Sequence, residues 1–130
     1  MSELKGNNIA YLELSDFDND GNLVNPQIPK NIPVIIMLQA SWCGHCVHVK
    51  PAFQEMADDP KNKGKIFAAT IQGDEPKQKD IAQKFLKGAF KSIPEVQGFP
   101  TFIGYKNGRF VKFCEGKRSK ENWEQFCAGL

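Results

Sequence analysis

A continuous apolar run that leads directly into a helix start limits the fold of this chain more than any other feature. The run is VIIMLQ, residues Val34–Gln39, and a segment rich in proline precedes it. A run of this length without polar alternation is typical of a strand that is buried on both faces of a sheet. Helical signals follow from Ser41 to about Asp58, and Pro51 is expected to kink that helix. The sequence therefore predicts a central strand whose carboxyl end meets the N-terminus of a helix.

The remaining elements predict an α/β fold with a mixed sheet. Strands are predicted at Ile9–Leu14 and Lys65–Gln72, and an Asn107-Gly108 turn is predicted to join two more strands as a hairpin. A second helix is predicted from Asp74 to Phe90, and Ser119 is predicted to cap a last helix. The order is strand, strand, helix, strand, helix, strand, strand, helix. In such sheets, sites form beyond the carboxyl ends of the central strands.

Length and charge exclude several classes of protein. A chain of 130 residues can bury the core of one domain without metal or disulfide staples. The net charge of +2 predicts neither a nucleic-acid partner nor a membrane surface as partner. No signal peptide, membrane span or endoplasmic-reticulum retention ending is visible in the sequence. We therefore expect a soluble monomer in a cytoplasmic location.

Two cysteines stand at the predicted helix start in the stretch WCGHC. A thiolate, and not a thiol, attacks a disulfide, so a redox cysteine needs neighbours that stabilise negative charge. Cys43, in the first turn, would face unpaired backbone N–H groups and the positive end of the helix dipole. Cys46 lies almost one turn further on and deeper in the fold. This spacing predicts an exposed nucleophile, Cys43, and a resolving Cys46, and a protonated His45 would favour the reduced form.

A zinc site is the first alternative interpretation, because a Cys-x-x-Cys pair forms half of many zinc sites. The other half is missing from the pattern, since Cys114 and Cys127 are thirteen residues apart and lie on a predicted strand and a predicted helix. His48 is the remaining candidate ligand. An inert structural disulfide is the second alternative, but a bridge that closes a two-residue loop constrains little chain entropy. The sequence favours a redox-active Cys43–Cys46 couple with no metal and no organic cofactor.

Several segments together resemble one known family. WCGHC followed by VHVKP, then GFPT, then the Asn-Gly turn and GKR resemble the thioredoxin superfamily, and most closely the catalytic domains of protein disulfide isomerases. The resemblance implies a thioredoxin fold, a central mixed β-sheet flanked by helices with a cis-proline loop next to the N-terminus of the Cys-x-x-Cys helix. The matching segments begin near Val34, so residues 1–33 would be a divergent N-terminal strand and loop within a single domain of residues 1–130.

The resemblance also implies roles for individual residues. Phe99-Pro100 would be the cis-proline loop, which in the family offers backbone groups to an extended substrate. Arg118 matches an arginine of the disulfide isomerases that eases deprotonation of the second cysteine. The expected substrate-binding residues are Trp42, Phe99, Pro100 and Thr101. The expected catalytic residues are Cys43, Gly44, His45, Cys46 and Arg118.

This chain departs from the family pattern at four places. Met37 stands where the family keeps a buried acid that exchanges protons with the second cysteine, and Val47 stands where a lysine is usual. Cys114 replaces an aromatic residue four positions before Arg118. Residues 87–96 are extra chain before the cis-proline loop. We expect slow proton transfer at the second cysteine and an altered substrate rim.

The acidic stretch DFDNDG resembles the first half of a calcium loop, with Asp16, Asp18 and Asp20 at alternate positions. The twelfth position of that loop would be Gln27 in place of the required Glu, so an ordinary polar turn is the preferred interpretation. Cys127 is predicted to be a small buried side chain. A bridge between Cys127 and Cys114 is left open, because the sequence does not give their distance.

The functional hypothesis is a thiol-disulfide oxidoreductase that acts on cysteine-containing protein substrates. Its redox partner would be glutathione or a dedicated reductase or oxidase. Gly44-His45 favours an oxidase or isomerase over a thioredoxin-like reductant, because disulfide isomerases have the higher reduction potentials. The alternative from a different class is a peptide-binding or structural module with weak catalysis, and Met37 is the residue that supports it.

Overall fold

The computed structural model describes residues 8–130 as a five-stranded mixed sheet. The predicted domain of residues 1–130 and the predicted absence of a signal peptide concern, in part, residues 1–7, which lie outside the described residues. The strands stand in the order β1-β3-β2-β4-β5. They are β1 Ile9–Tyr11, β2 Val34–Gln39, β3 Phe67–Gln72, β4 Thr101–Lys106 and β5 Arg109–Phe113.

Within residues 8–130, three α-helices complete the predicted order of elements. They are α1 Gly44–Asp58, α2 Lys79–Leu86 and α3 Lys120–Ala128, and short 3₁₀ turns lie at Leu14–Asp16 and Pro60–Asn62. The predicted fold class is confirmed, because strands and helices follow one another as the sequence indicated. None of the helices within residues 8–130 is long and apolar enough to cross a membrane.

Strand β2 is the centre of the sheet. It pairs in parallel with β3 and antiparallel with β4, and all six of its residues are buried. Its side chains alternate between two apolar layers, as the period of a strand requires. Ile36 and Leu38 pack in the layer that α2 covers. Ile35 and Met37 pack in the layer that α1 and α3 cover.

The second helix is shorter than predicted at both ends. It begins at Lys79, not Asp74, and it ends at Leu86, although apolar residues continue at helical spacing as far as Phe90. Gly88 has a φ of 62°, a left-handed conformation that ends the helix. The apolar residues beyond it pack against the core as a loop. The side chains of Phe90, Ile93 and Val96 are buried in the α2-side layer.

The first predicted strand is also shorter, because the chain leaves the sheet after Tyr11 and forms the 3₁₀ turn at Leu14–Asp16. The acidic stretch that follows is a turn held by its own carboxylates. Asp18 accepts hydrogen bonds from the backbone N–H groups of Asp20 and Asn22 at 2.9 Å. Backbone and side-chain hydrogen bonds from Asn22 lower the pKa of Asp18. The geometry agrees with the polar turn that the sequence analysis preferred.

Gly21 brings this turn against the loop of residues 87–96. Its φ is +85°, and a Cβ atom placed on it would lie 2.7 Å from Cγ of Phe90. The carbonyl of Gly21 accepts a hydrogen bond from the buried Tyr105 hydroxyl at 2.6 Å. The N-terminal loop and the extra loop before the cis-proline are therefore packed together over one edge of the core.

We predict that Gly21→Ala destabilises the protein more than Gly64→Ala does. Both glycines have positive φ, but a Cβ at Gly64 would meet no atom within 4 Å. Backbone strain alone should lower the free energy of unfolding by about 1–2 kcal/mol, and the contact with Phe90 should add roughly 1–3 kcal/mol in Gly21→Ala. Urea denaturation of both variants measures the difference. Equal losses would contradict tight packing at Gly21.

Candidate active site

The carboxyl end of β2 places the first cysteine at the start of α1. After Gln39 the chain makes one tight turn, in which the N–H of Cys43 donates to the carbonyl of Ala40 at 3.2 Å. Cys43 is the N-cap of α1, and its sulfur accepts a hydrogen bond from the backbone N–H of Cys46 at 3.2 Å. A thiolate at this position would be stabilised by that N–H group and by the helix dipole.

Cys43 and Cys46 are joined as a disulfide, with their Cα atoms 5.2 Å apart. Cys46 is fully buried, and Cys43 keeps 7% of its surface exposed. The expectation of an exposed Cys43 therefore holds only in relative terms, because Cys43 packs in the same apolar layer as Ala40 and Cys46. The difference between the two sulfurs has a chemical consequence. An external reagent would meet the Cys43 sulfur first, whereas the Cys46 sulfur is enclosed by the protein.

Gly44 and His45 form the exposed first turn of α1 between the two cysteines. A Cβ atom on Gly44 would meet nothing within 4 Å, so open space adjoins the disulfide on this side. The His45 side chain is exposed beside the cap of the helix. His48 is also exposed one turn later. The structure thus gives His45, and not His48, the position next to the redox pair.

The predicted cis-proline loop lies against the tryptophan that precedes the redox pair. The Phe99-Pro100 bond is cis, and the rings of Trp42 and Phe99 are 5.7 Å apart. Trp42 is 70% exposed, which leaves most of its ring free for a partner. The Thr101 hydroxyl donates to the carbonyl of Gly98 at 2.6 Å and closes the loop. Trp42 is therefore the neighbour of the cis-proline loop through Phe99, and the buried Pro100 and the half-buried Thr101 follow Phe99 directly in that loop.

An interaction that the sequence analysis missed holds this surface in place. The backbone N–H of Ser41 donates to Asp74 Oδ1 at 3.0 Å, and the Ser41 hydroxyl donates to the other carboxylate oxygen. Burial would raise the pKa of Asp74, but the hydrogen bonds from Ser41 outweigh it and lower the pKa. The sequence pattern places Asp74 at a helix start, where the helix dipole favours a carboxylate. Ser41, its actual partner, is distant in the chain, and nothing in the pattern indicates the contact.

A cavity of about 260 Å³ opens beside the cis-proline loop. Arg118, which the family resemblance placed in the catalytic set, lies on its wall and is exposed. The extra loop contributes Glu95 to the same wall. The other lining residues include Gln97, Pro100, Thr101, Cys114, Glu115 and Lys117. The extra loop therefore forms part of the wall of the cavity beside the cis-proline loop.

Met37 lies in the same apolar layer as both cysteines and is fully buried. This is the position that the family resemblance gives to a buried acid. Two buried polar residues near it were missed. They are Gln39 and Thr70, which are fully buried and joined by a hydrogen bond of 3.2 Å. The one sequence signal for this buried polar pair is Gln39 itself, a polar residue at the end of the apolar run VIIMLQ.

The two remaining cysteines are both free thiols, so the bridge that the sequence left open does not exist in this structure. Cys127 is buried on α3, as predicted, and burial raises its pKa to about 12. Cys114 is half-buried at the end of β5, and burial raises its pKa as well. Within residues 8–130, no group of three or more His, Cys, Asp or Glu side chains is arranged to hold a metal ion.

We predict that both free thiols react slowly in the folded, oxidised protein. Alkylation requires the thiolate, and a raised pKa lowers the thiolate fraction at about pH 8. Cys114 should react more slowly than an exposed model thiol, and its rate should rise as the pH approaches its pKa. Cys127 should be modified only after unfolding. Mass spectrometry of iodoacetamide-treated protein distinguishes the sites, and rapid modification of Cys127 in the folded protein would contradict this burial.

The chain is similar to known proteins over most of its length. The family model described as Thioredoxin matches residues 19–128. A thioredoxin-like protein of Invertebrate iridescent virus 6 is 36% identical over 115 residues, which cover 80% of each chain. Protein disulfide-isomerase A5 of Mus musculus is 28% identical over 110 residues, or 85% of this chain. The matching region is 20% of that isomerase, so this chain corresponds to about a fifth of its length.

Solved structures show the same fold. Human ERp44, in a structure described as its zinc-bound form, superposes with a TM-score of 0.67 at 18% sequence identity. The superposition covers 93% of this chain and 30% of ERp44. At this level of identity the likeness concerns the arrangement of strands and helices, which is the arrangement that brings Cys43, Cys46 and the cis-proline loop together here.

Proposed function

Because this chain belongs to the thioredoxin family, we propose that it is a thiol-disulfide oxidoreductase of the protein disulfide isomerase type that acts on cysteine-containing protein substrates. One observation carries the proposal. The Cys43–Cys46 disulfide caps α1, with one sulfur partly accessible and the other enclosed. Such a pair can exchange with an external disulfide at Cys43 while Cys46 stays available for the internal step.

The first step is nucleophilic attack by the Cys43 thiolate on a substrate disulfide. A new bond forms between Cys43 and one substrate sulfur, and the other substrate sulfur leaves as a thiolate. The N–H of Cys46, which already points at the Cys43 sulfur at 3.2 Å, stabilises the attacking charge. The exposed His45 adds a positive charge to this end of the helix when it is protonated.

The second step releases the substrate. Cys46 loses its proton and attacks the Cys43 sulfur, so the protein disulfide forms again and the second substrate thiolate departs. The substrate then carries two more electrons than before, and the protein carries two fewer. Run in the opposite direction, the same two steps oxidise a substrate dithiol. When the substrate thiolate attacks a different disulfide before Cys46 acts, the result is isomerisation.

The surface around Trp42 and the cis-proline loop is suited to an extended peptide. Trp42 offers an exposed aromatic face, and Phe99 supports it from the loop. The adjoining cavity is lined by charges of both signs. The negative charges are those of Glu95 and Glu115, and the positive charges are those of Lys117 and Arg118. A site with this balance favours polar, uncharged peptide segments over strongly charged ones.

Gly44 and His45, the residues between the cysteines, favour the oxidising direction of the net reaction. Disulfide isomerases have reduction potentials of about −180 mV, against about −270 mV for thioredoxin. A histidine beside Cys43, when protonated, stabilises the thiolate and therefore the reduced state, which raises the potential. We assign the chain to the oxidising side of the family on this ground, with glutathione or a protein oxidase or reductase as its redox partner.

We predict that Cys43→Ser reduces turnover of scrambled ribonuclease to the uncatalysed background. Cys46→Ser should retain the first step but accumulate mixed disulfides with substrate, because the resolving sulfur is absent. Refolding assays measure the turnover, and non-reducing gels with mass spectrometry detect the mixed disulfide. Cys127→Ala, which removes a buried sulfur outside the proposed mechanism, is the matched control and should keep its turnover. Substantial activity in Cys43→Ser would refute the mechanism.

We predict that Met37→Glu accelerates the resolving step near neutral pH. A thioether carries no exchangeable proton and is too weak a base to accept one, whereas a carboxylate can take the Cys46 proton. The same variant should lose about 1–3 kcal/mol of unfolding free energy, because a carboxyl group replaces a fully buried apolar side chain. Stopped-flow resolution rates and denaturation midpoints test both parts. An unchanged resolution rate in the folded variant would show that another group already accepts the proton.

Met37 is also the observation that supports a second candidate function, a peptide-binding module with weak catalysis. The residue is fully buried in the layer that holds Cys46, so no carboxylate at this position can assist deprotonation. The two candidates differ in one measurement. A binding module would retain peptides at the Trp42 surface equally well in Cys43→Ser, and wild-type turnover would remain near the background.

A further inference from the structure

Gln39 is a fully buried polar side chain that the mechanism above does not use. It is the last residue of β2, four positions before Cys43. Its carbonyl oxygen, Oε1, is buried and has no hydrogen-bond partner within the described residues 8–130. A buried acceptor without a donor is costly and calls for a physical reason, because most such groups in folded proteins are paired.

The orientation of the Gln39 amide follows from its neighbours. The Thr70 hydroxyl donates its one proton to the backbone carbonyl of Met37 at 2.7 Å. Its oxygen can then only accept, and it accepts from Gln39 Nε2 at 3.2 Å. A flipped amide would place two acceptors against each other. Oε1 is therefore the end of the side chain that points away from Thr70 and remains available for a donor.

The Gln39 side chain lies on the face of the sheet that holds Cys46. Met37 pairs with Thr70 in the parallel register of β2 and β3, and residues two apart on a strand share a face. Met37, Cys46 and Ala40, which follows Gln39 directly, all belong to the apolar layer between the sheet and α1. Gln39 and Thr70 thus introduce a polar pair into the layer that encloses the resolving cysteine.

The structure shows the oxidised protein, in which Cys43 and Cys46 form a disulfide and neither sulfur carries a proton. Reduction changes this, because Cys46 becomes a buried thiol and hence a donor. We propose that Gln39 Oε1 accepts a hydrogen bond from the Cys46 thiol in the reduced protein and so favours the dithiol over the disulfide. The proposal rests on the proposed function in one respect, that Cys43 and Cys46 cycle between these two states.

The reaction that reports this preference is exchange with glutathione. Two glutathione thiols reduce the protein disulfide and leave as glutathione disulfide, so the protein gains two electrons. Of the two thiol protons, one stays on Cys46 and the other goes to Cys43 or to solvent. In the disulfide state Gln39 Oε1 is unpaired, whereas in the dithiol state it is paired. The unpaired acceptor destabilises the disulfide state and the hydrogen bond stabilises the dithiol state, so both effects favour the dithiol. Removal of the Gln39 acceptor must therefore shift the equilibrium towards the disulfide.

The test compares Gln39→Met with the wild type. The quantity measured is the equilibrium constant for reduction of the Cys43–Cys46 disulfide by glutathione. Methionine is close to glutamine in length and unbranched shape but lacks the amide acceptor. We expect the constant for reduction to fall roughly three- to tenfold, the effect of one hydrogen bond on an equilibrium. Met37→Leu is the matched packing control, since it alters the same face of the same strand without removing an acceptor, and its constant should stay within about twofold of the wild type.

Thr70→Val is the second variant, and it keeps Gln39 but removes the hydroxyl that orients the amide. It should shift the constant in the same direction by a smaller factor. Thr70→Val also serves if Gln39→Met does not fold. The proposal would be overturned if folded Gln39→Met had the same equilibrium constant for reduction as the wild type. If Gln39→Met does not fold, the same result in folded Thr70→Val would overturn it. A shift in Met37→Leu equal to that in Gln39→Met would also overturn it. A wild type that fails to exchange with glutathione would instead overturn the proposed function.

Infrared spectroscopy supplies a readout that a purely structural role would not change. The reduced-minus-oxidised difference spectrum cancels Cys114 and Cys127, which are free thiols in both states. The Cys46 S–H stretching band should lie at lower wavenumber in the wild type than in Gln39→Met, because hydrogen bonding weakens the S–H bond. An identical band position in the two proteins would exclude Gln39 as the acceptor.

Discussion

The burial of β2 is the constraint on which the rest of the structure depends. Its six residues are enclosed by β3 and β4 at the sides and by apolar layers on both faces. A shift of one residue in register would turn Ile36 and Leu38 into the wrong layer, so the strand has one position along its neighbours. Its carboxyl end is therefore fixed in space, and Cys43 becomes the cap of α1 at a defined distance from the sheet. The redox chemistry depends on this placement, because it separates an accessible sulfur from an enclosed one.

The two sulfurs of the pair experience different surroundings for simple physical reasons. Cys43 lies at the positive end of a helix dipole with an N–H group directed at it, which favours its thiolate. Cys46 lies in an apolar layer in which Gln39 and Thr70 supply the polarity, which favours a neutral thiol. The asymmetry assigns attack to one cysteine and resolution to the other. It also makes the buried polar pair of Gln39 and Thr70 the place where this chain can adjust its redox balance.

Local signals in the sequence were sufficient wherever a structure is decided by neighbouring residues. Asn107-Gly108 was predicted as a hairpin turn, and both residues have the positive φ that this turn requires. Ser119 caps α3 by accepting from the N–H of Asn122. The same reasoning failed for the second helix, where apolar spacing continued past Gly88. Phe90 is buried because the N-terminal turn at Gly21 packs against it, and a contact between segments this distant in the chain leaves no local periodicity.

The sequence by itself determined the order of the elements, the central strand, the helix start at the cysteines and the family to which these features belong. Each of these depends on patterns within short segments, taken singly or, for the order of elements and the family, one after another along the chain. Such patterns can be derived from the letters alone. The tertiary structure decided that Cys43 is mostly enclosed, that Asp74 anchors Ser41, and that Gln39 faces the layer of Cys46 with a free acceptor. Burial and hydrogen bonding in these cases join residues from different strands and loops. Their energies depend on three-dimensional proximity, which only the completed packing of the sheet and helices defines.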